Sequence, residues 1–353
     1  MGKVNARAYA LALGAAGLFG ASFPLSKLLL RDLGPVGLAG LLYLGSGLGI
    51  GALTLFIRDR SARREASLKE ADLGWLFGVI LSGGVAGPTL LLLGLARTSA
   101  QVSALLANTE TLFTMALAVA FFGDFLIRRE VLGAVAIFTG ATIVAVAEAG
   151  QGGKSSWEGP LLLLGAGLAW GLDNNFSQRI SAKDPLQIAA IKGIAAGIVN
   201  LLLSWFAEGL PPLAPSVLMS AMAVGFVCYG LSVVFFIVAL RHLGAARTSA
   251  LFAMAPGMAI LLSWAILGEL PSLWTGAGAL LMLPGAWLLV RVEHSHAHVH
   301  EPMEHDHRHV HDEHHRHEHR GNEGPEPHSH PHRHAPLEHD HAHVADLHHR
   351  HSH

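Results

Sequence analysis

The sequence is poor in the residues on which soluble enzymes and secreted domains depend. Charged residues make up 14% of the chain, against about a quarter in a typical soluble protein. Cys228 is the one cysteine, so no disulfide can form within the chain. The chain also has no nucleotide-binding loop and no recognisable nucleophile and base pattern. These absences exclude an internal disulfide framework and argue against an enzyme.

Histidine and glycine are distributed very unevenly, and the composition changes near Val292. Between His294 and His353 lie 23 of the 24 histidines, whereas 38 of the 40 glycines precede that segment. With 51% apolar residues overall, the first 292 residues must be far more apolar than a soluble domain of that size. We therefore expect them to be embedded in a lipid bilayer.

Ten apolar runs are long enough to cross a membrane as helices, which takes roughly 20 residues each. A buried soluble core is the alternative, but it would need amphipathic helices to cover it, and the sequence has almost none. The first run follows Lys3 and Arg7, as in a signal peptide, yet it is longer than a signal core and we expect it to be retained. The sequence predicts an all-α integral membrane protein with spans at 8–29, 35–57, 73–95, 99–122, 130–148, 158–178, 186–207, 215–240, 245–267 and 273–291.

Basic residues are concentrated in alternate connections between these runs. One set of connections carries 14 lysines and arginines and the other carries 4. Because basic residues accumulate on the cytoplasmic side, an even number of spans places both termini in the cytoplasm. The predicted location is the cytoplasmic (inner) membrane.

The two halves of the apolar region resemble each other in sequence. A shift of 145 residues aligns Gly123-Asp124 with Gly268-Glu269, and a shift of 151 aligns Gly20 with Gly171. Each half contains five spans, so the halves must have opposite orientations in the membrane, and substrate sites in such proteins lie between the repeats. We expect one repeat at 1–148, a second at 149–292 and a polar tail at 293–353.

This pattern resembles the EamA family of the drug/metabolite transporter superfamily. The resemblance lies in two five-helix repeats, in the first-span segment FGASFPLSK from Phe19 to Lys27, and in the Gly-acid pairs after spans four and nine. It covers residues 8 to about 292 and implies a transporter, but members of the family carry amino acids, nucleosides, drugs and other metabolites. The ninth span keeps a family-like Pro256, whereas Thr111 stands at the aligned place in span four, so we expect polar residues there instead of a helix kink.

Glu110 is the first candidate for the transport pathway. An ionised carboxylate near the middle of a span costs at least ~2.5 kcal/mol, so it must face a partner or water. It is either a cation or proton site, or a neutral acid bonded to Asn108, Thr111 or Thr114 for packing.

A second candidate cluster lies in the sixth and seventh spans. Asp173, Asn174 and Asn175 share a helix, and Lys192 lies at a similar depth in the next one, so Asp173 and Lys192 can meet as an ion pair. Such a pair either locks two helices together or opens during transport. Ser22 completes the candidate set. The run from Gly83 to Pro88 is the predicted hinge or cavity wall.

The tail repeats His-x-His units between acidic residues. Imidazole is a common ligand for zinc, nickel and cobalt, and such a composition cannot bury a core, so we predict metal binding by a segment that is disordered without metal. A purification tag is disfavoured because the histidines are dispersed, and a pH-sensitive solubilising tail stays an alternative. The predicted ligands are His294, His296, His298, His300, His305, His307, His309, His311, His314, His315, His317, His319, His328, His330, His332, His334, His339, His341 and His343.

Together these features predict a carrier that moves a small solute by alternating access. Divalent metal efflux is one substrate hypothesis. An amino-acid or metabolite exporter whose tail senses or buffers metal is the second, and a non-transporting metal sensor or storage protein is the third. We expect no required cofactor, no nucleic-acid partner, and a monomer or homodimer in the bilayer.

Overall fold

The structure is a computed structural model of the chain. It describes residues 2–56, 68–122, 127–151, 157–181, 183–209, 214–243, 245–290, 294–300, 304–309, 328–333 and 337–343. Side chains are described for most of the helical residues, and only the backbone for residues 294–300, 304–309, 328–333 and 337–343.

The first five predicted spans are helical. A 3-10 turn at Glu70–Asp72 precedes the third span, and that span contains a π-helical segment at Ile80–Ala86. The α-helices are α1 (Gly2–Leu29), α2 (Pro35–Phe56), α3 (Leu73–Val79), α4 (Gly87–Arg97), α5 (Ala100–Ala107), α6 (Glu110–Phe122) and α7 (Arg128–Gln151).

The second five predicted spans are helical as well. The eighth span contains a second π-helical segment at Gly225–Leu231. The α-helices are α8 (Glu158–Arg179), α9 (Pro185–Ala207), α10 (Pro215–Val224), α11 (Ser232–Leu243), α12 (Ala245–Phe252), α13 (Ala255–Leu267) and α14 (Leu273–Val290). The predicted all-α membrane fold is confirmed, and 7 segments of the described chain are long and apolar enough to cross a membrane.

Local signals explain several of the helix ends. Ser99 precedes α5 and its hydroxyl accepts the Val102 N–H at 3.2 Å, which satisfies a donor that the helix leaves free. Asp184 does the same for α9, where its carboxylate accepts the Leu186 N–H at 2.9 Å. Gly268 ends α13 with φ of 70°, a left-handed conformation that favours glycine.

The two repeats interlock rather than pack side by side. α2 packs along α9 and α7 packs along α14, so equivalent helices of the two repeats meet. α1 packs against α11 and α13, and its counterpart α8 packs against α4 and α6. Gly20 of α1 lies against the backbone of α13 at Ala259, and Gly171 of α8 lies against the backbone of α6 at Thr114. The glycines aligned in sequence therefore allow the same close approach of two helix backbones in each half.

Helix irregularities occur at matching places in both repeats. The two π-helical segments begin at Ile80 and Gly225, which are 145 residues apart, the same shift that aligns the repeats. Span four is interrupted at Asn108 and Thr109, and span nine is interrupted between Phe252 and Ala255. The expectation that polar residues replace a kink in span four is therefore wrong. The interruption is present without proline, and the backbone there makes tighter turns such as Asn108 N–H to Leu105 C=O at 3.1 Å.

Four short strands lie in the histidine-rich segment. His294–His300 pairs antiparallel with Leu337–His343, and Glu304–His309 pairs antiparallel with His328–Arg333. The composition predicts disorder here, but the alternating His-x-His pattern also matches the two-residue period of a strand. These are the only strands of more than one residue among the described residues, and they lie outside the helical bundle in sequence.

Candidate functional site

Glu110 occupies the first position of a half-helix deep in the bundle. Because span four breaks at Asn108 and Thr109, the N-terminus of α6 lies at this depth, and an acidic first residue complements the positive end of the helix dipole. Asn174 of α8 donates a hydrogen bond to Glu110 Oε1 at 2.8 Å and another to Thr114 Oγ1 at 3.1 Å. A neighbouring helix, rather than the acid's own helix, therefore supplies this partner of the carboxylate.

Asp173 and Lys192 meet as predicted. Lys192 Nζ lies 2.5 Å from Asp173 Oδ2, and the pair joins α8 to α9. The Asp173 carboxylate lies directly against Gly83, where any side chain would overlap it. Glu110 is close enough to interact electrostatically with both members of the pair. The pairing is confirmed, and its opening during transport stays a prediction.

The π-helical segment at Ile80–Ala86 forms one wall of this region. Gly83 C=O accepts hydrogen bonds from the Tyr43 hydroxyl at 2.8 Å and from Trp170 Nε1 at 3.2 Å. Gly84 C=O accepts one from Asn200 Nδ2 at 3.1 Å. A π-helix disturbs the regular backbone bonding, and three other helices supply side-chain donors to its carbonyls. The segment predicted as a hinge or cavity wall is thus an irregular helix held by side chains.

Aromatic rings line the adjacent region between the repeats. Tyr43 lies 5.9 Å from Tyr229, and Phe19 lies 6.0 Å from Tyr229 and 5.5 Å from Phe252, measured between ring centroids. Ser22 lies beside these rings, since its hydroxyl bonds to the Phe19 C=O. We call Phe19, Tyr43, Tyr229 and Phe252 the aromatic wall. The sequence reasoning missed it, although two of the chain's 3 tyrosines belong to it and a tyrosine inside an apolar span was the available signal.

These groups lie deep in the protein and still keep accessible surface. Glu110, Lys192, Tyr43 and Tyr229 are half-buried although helices of both repeats enclose them. Asn174, which bonds to Glu110, is exposed, so this region reaches the accessible surface of the protein. Asn108 adds an unused donor, since its Nδ2 is buried and has no hydrogen-bond partner among the described residues.

The other predicted pathway residues have clear positions. Asn175 is buried and donates to Gly171 C=O at 2.8 Å and to Thr114 C=O at 3.1 Å, so it fastens α8 to α6. Thr111 is half-buried on α6, one residue beyond Glu110. Ser22 is 1% exposed and its hydroxyl donates to the Phe19 C=O at 2.6 Å. Asn175 therefore has the contacts of a packing residue, whereas Ser22 contacts the aromatic wall.

One end of the bundle is fastened by carboxylates that sit on helix N-termini of the other repeat. Glu269 accepts the Ala100 N–H at 3.1 Å, and its own C=O accepts Gln101 Nε2 at 2.6 Å. Glu208 accepts the Val36 and Gly37 N–H groups, each at 2.9 Å. Such contacts are charge-assisted, and each joins the second repeat to the first. We call this the Glu269 end.

Lys27 also lies at the Glu269 end and was outside the predicted set. Its ammonium donates to the Leu95 and Thr98 carbonyls, both at 2.6 Å, and so caps the C-terminus of α4. A cavity of about 330 Å³ opens beside it. The cavity is lined by Lys27, Leu30, Arg31, Ala96, Leu267 and Glu269.

Metal ligands are not clustered in the part of the chain whose side chains the structure describes. No group of three or more histidine, cysteine, aspartate or glutamate residues is found there. Of the predicted tail ligands, His311, His314, His315, His317, His319 and His334 lie outside the described residues. The remaining thirteen lie in the four strands, where the register sets histidine opposite histidine, as His296 opposite His341 and His307 opposite His330.

Comparison with known proteins agrees with this architecture. A protein from Methanothermobacter thermautotrophicus described as an uncharacterized transporter is 28% identical over 290 residues, covering 77% of this chain and 82% of that protein. A crystal structure of a protein with 18% identity matches the fold with a TM-score of 0.59, over 80% of this chain and 97% of the other. The model of the EamA-like transporter family matches residues 6–146 and 157–291, one match for each repeat. The chain therefore belongs to the EamA-like transporter family.

Proposed function

We propose that this multi-pass membrane transporter carries a small organic solute across the cytoplasmic membrane by alternating access. The central site comprises Glu110, Asp173, Asn174, Lys192 and the aromatic wall. The observation that carries the proposal is the charged network deep in the bundle, beside a π-helical segment and a broken helix. Discontinuous helices with polar termini between inverted repeats are where such carriers bind solutes.

The distribution of basic residues supports an orientation with both termini in the cytoplasm. The Glu269 end then faces away from the cytoplasm. Glu269 and Glu208 hold helix N-termini of the first repeat at this end. In this arrangement the outer side of the carrier is closed, and access from outside requires these contacts to break.

Glu110 and the Asp173–Lys192 pair are the proposed coupling groups. A buried ion pair such as Asp173 and Lys192 is costly to separate unless a third charge replaces one partner. Glu110 lies within electrostatic range of both members, so its charge state and a bound solute can change the stability of the pair. Opening and closing of this pair would link solute binding to the change in access.

An organic solute fits the central site better than a divalent metal. Metal sites of this kind need several nitrogen, sulfur or oxygen ligands on one ion, and the described side chains contain no group of three histidine, cysteine, aspartate or glutamate residues. Divalent metal efflux keeps one supporting observation, the histidine-rich tail. We propose that the tail binds zinc, nickel or cobalt and regulates transport. A non-transporting sensor would have no need of the buried pair and the repeat.

Flux in proteoliposomes tests the proposed function. The purified chain is reconstituted and loaded with a panel of amino acids, amines and other metabolites, and also with zinc, nickel and cobalt, with and without a pH gradient. We expect saturable flux of an organic solute that Glu110→Gln abolishes. Glu158→Gln is the matched control, because Glu158 is 48% exposed at its side chain and pairs with Arg97 at the protein surface. Saturable flux of metal alone would replace the organic-solute proposal with metal efflux.

A further inference from the structure

We infer that the solute of the central site is a small organic cation, an ammonium group attached to an apolar body. The inference rests on the proposed function and names the substrate class of the same site. It depends on two observations: the balance of charge around Glu110, and the ring faces of the aromatic wall.

The described charges at the centre leave one carboxylate without an ionic partner. Lys192 is occupied by Asp173 at 2.5 Å, which leaves Glu110 bonded to a neutral amide, Asn174, at 2.8 Å. With all three groups ionised, the site carries a net charge of −1. In a medium of low dielectric constant such a site attracts a monocation and disfavours an anion. An anionic solute would have to separate Lys192 from Asp173 before it gained a counter-charge.

The aromatic wall offers ring faces rather than hydroxyl groups. The Tyr43 hydroxyl donates to Gly83 C=O at 2.8 Å. Because this hydroxyl is engaged, the hydrogen-bonding end of Tyr43 is turned to the protein. The rings of Tyr43 and Tyr229 remain half-buried, and aromatic faces attract cations and pack against apolar groups.

The wall and the charges are neighbours in the fold, since the Tyr43 hydroxyl and the Asp173 carboxylate both contact Gly83. Tyr43 interacts electrostatically with Asp173 and Glu110, and it shares the Gly83 carbonyl region against which Asp173 packs. A molecule that placed its cationic group near Glu110 could therefore lay its apolar body on Tyr43 and Tyr229. A divalent metal would use the carboxylate but gain nothing from the rings.

Binding of benzyltrimethylammonium to the full-length protein in detergent tests the inference, with phenylacetate and Zn²⁺ as competing probes. Isothermal titration is run on the wild type and on Glu110→Gln, Tyr229→Leu and Tyr229→Phe. We expect the cation to bind and phenylacetate not to bind. We expect affinity to fall by about tenfold or more in Glu110→Gln and Tyr229→Leu, and by less than about threefold in Tyr229→Phe, which keeps the ring.

Three outcomes would overturn the inference. The first is tighter binding of phenylacetate than of the ammonium, and the second is equal affinity for the cation in the wild type, Tyr229→Leu and Glu110→Gln. The third is the absence of cation binding. Monodisperse elution and an unchanged melting temperature for Tyr229→Phe show that the comparison is made on folded protein. If the cation does not bind but proteoliposomes transport a neutral or anionic metabolite, the inference fails and the proposed function stands. If no solute is transported, the proposed function fails.

Discussion

Removing one member of the Asp173–Lys192 pair should damage the protein more than removing both. The side chains are 9% and 19% exposed, so either charge alone would be left in a poorly solvated place. Breaking a buried pair by removing one partner typically costs about 3 to 5 kcal/mol, and the partial exposure of Lys192 places these variants just below that range. We expect a loss of about 2.5 kcal/mol for Asp173→Asn and about the same for Lys192→Met.

The double variant separates pairing from simple packing. Without either charge no uncompensated ion remains, and we expect a loss of about 2 kcal/mol from altered packing alone. The two single effects add to about 5 kcal/mol, so the coupling energy is about 3 kcal/mol. The assay is the free energy of unfolding in detergent micelles for the wild type, both single variants and the double variant.

A surface pair supplies the control for this cycle. Arg97 and Glu158 lie 3.0 Å apart with side chains 38% and 48% exposed, and we expect a coupling energy of at most ~1 kcal/mol there. Additive single effects at Asp173 and Lys192, equal to those of the double variant, would refute the reasoning, because they would show that neither charge depends on the other.

Three further predictions concern the Glu269 end, the tail and the helix interface. The first uses Ser22→Cys in a Cys228→Ala background as a reporter of access to the central site. Combining Glu269→Gln with Glu208→Gln should raise the rate at which a thiol reagent labels this cysteine by about tenfold, because the charge-assisted contacts that close this end are lost. Glu130→Gln is the control, because Glu130 accepts the Ile127 N–H at 2.9 Å at a helix start within one repeat. Equal labelling of the reporter in its unchanged form, with the two Glu269-end changes and with the control change would contradict the closure. Truncation after Val292 should leave an inserted, transport-competent protein that has lost most of its bound zinc or nickel. Bound metal is measured by mass spectrometry, and retention of the full metal complement would place the ions among the helices. Gly47→Ala should destabilise the protein by about 1 to 3 kcal/mol because an added Cβ meets the α9 backbone at Ile194, whereas Gly51→Ala, where nothing lies within 4 Å, should be neutral in the same unfolding assay.

Features that repeat along the chain were predictable from the sequence. Length and hydropathy locate the ten helical spans. A membrane helix must satisfy the hydrogen bonds of its own backbone, and it must be long enough to cross the hydrocarbon core of the bilayer. The aligned Gly20 and Gly171 correctly indicated equivalent halves, since close packing tolerates no side chain at either place. The pairing of Asp173 with Lys192 followed from their equal depth in adjacent spans, where a lone charge is too costly.

Features that depend on contacts between distant helices were not predictable. The break before Glu110 occurs without proline or glycine, and Asn174 supplies a hydrogen bond to its carboxylate from 64 residues away. Tyr43 joins the site because its hydroxyl reaches the Gly83 carbonyl, a contact that the glycine and proline run did not indicate. Glu269 was noticed as part of a repeated Gly-acid pair. Its hydrogen bond to the N-terminus of α5 depends on how the two repeats face each other.

The central claim is that an organic solute passes through the site that contains Glu110. The most direct measurement is the initial rate of solute flux into proteoliposomes that contain equal amounts of the wild type, Glu110→Gln or Glu158→Gln, with insertion verified for each. The account predicts saturable flux for the wild type and Glu158→Gln, and a rate at the protein-free background for Glu110→Gln. Saturable flux through Glu110→Gln at the wild-type rate would contradict it.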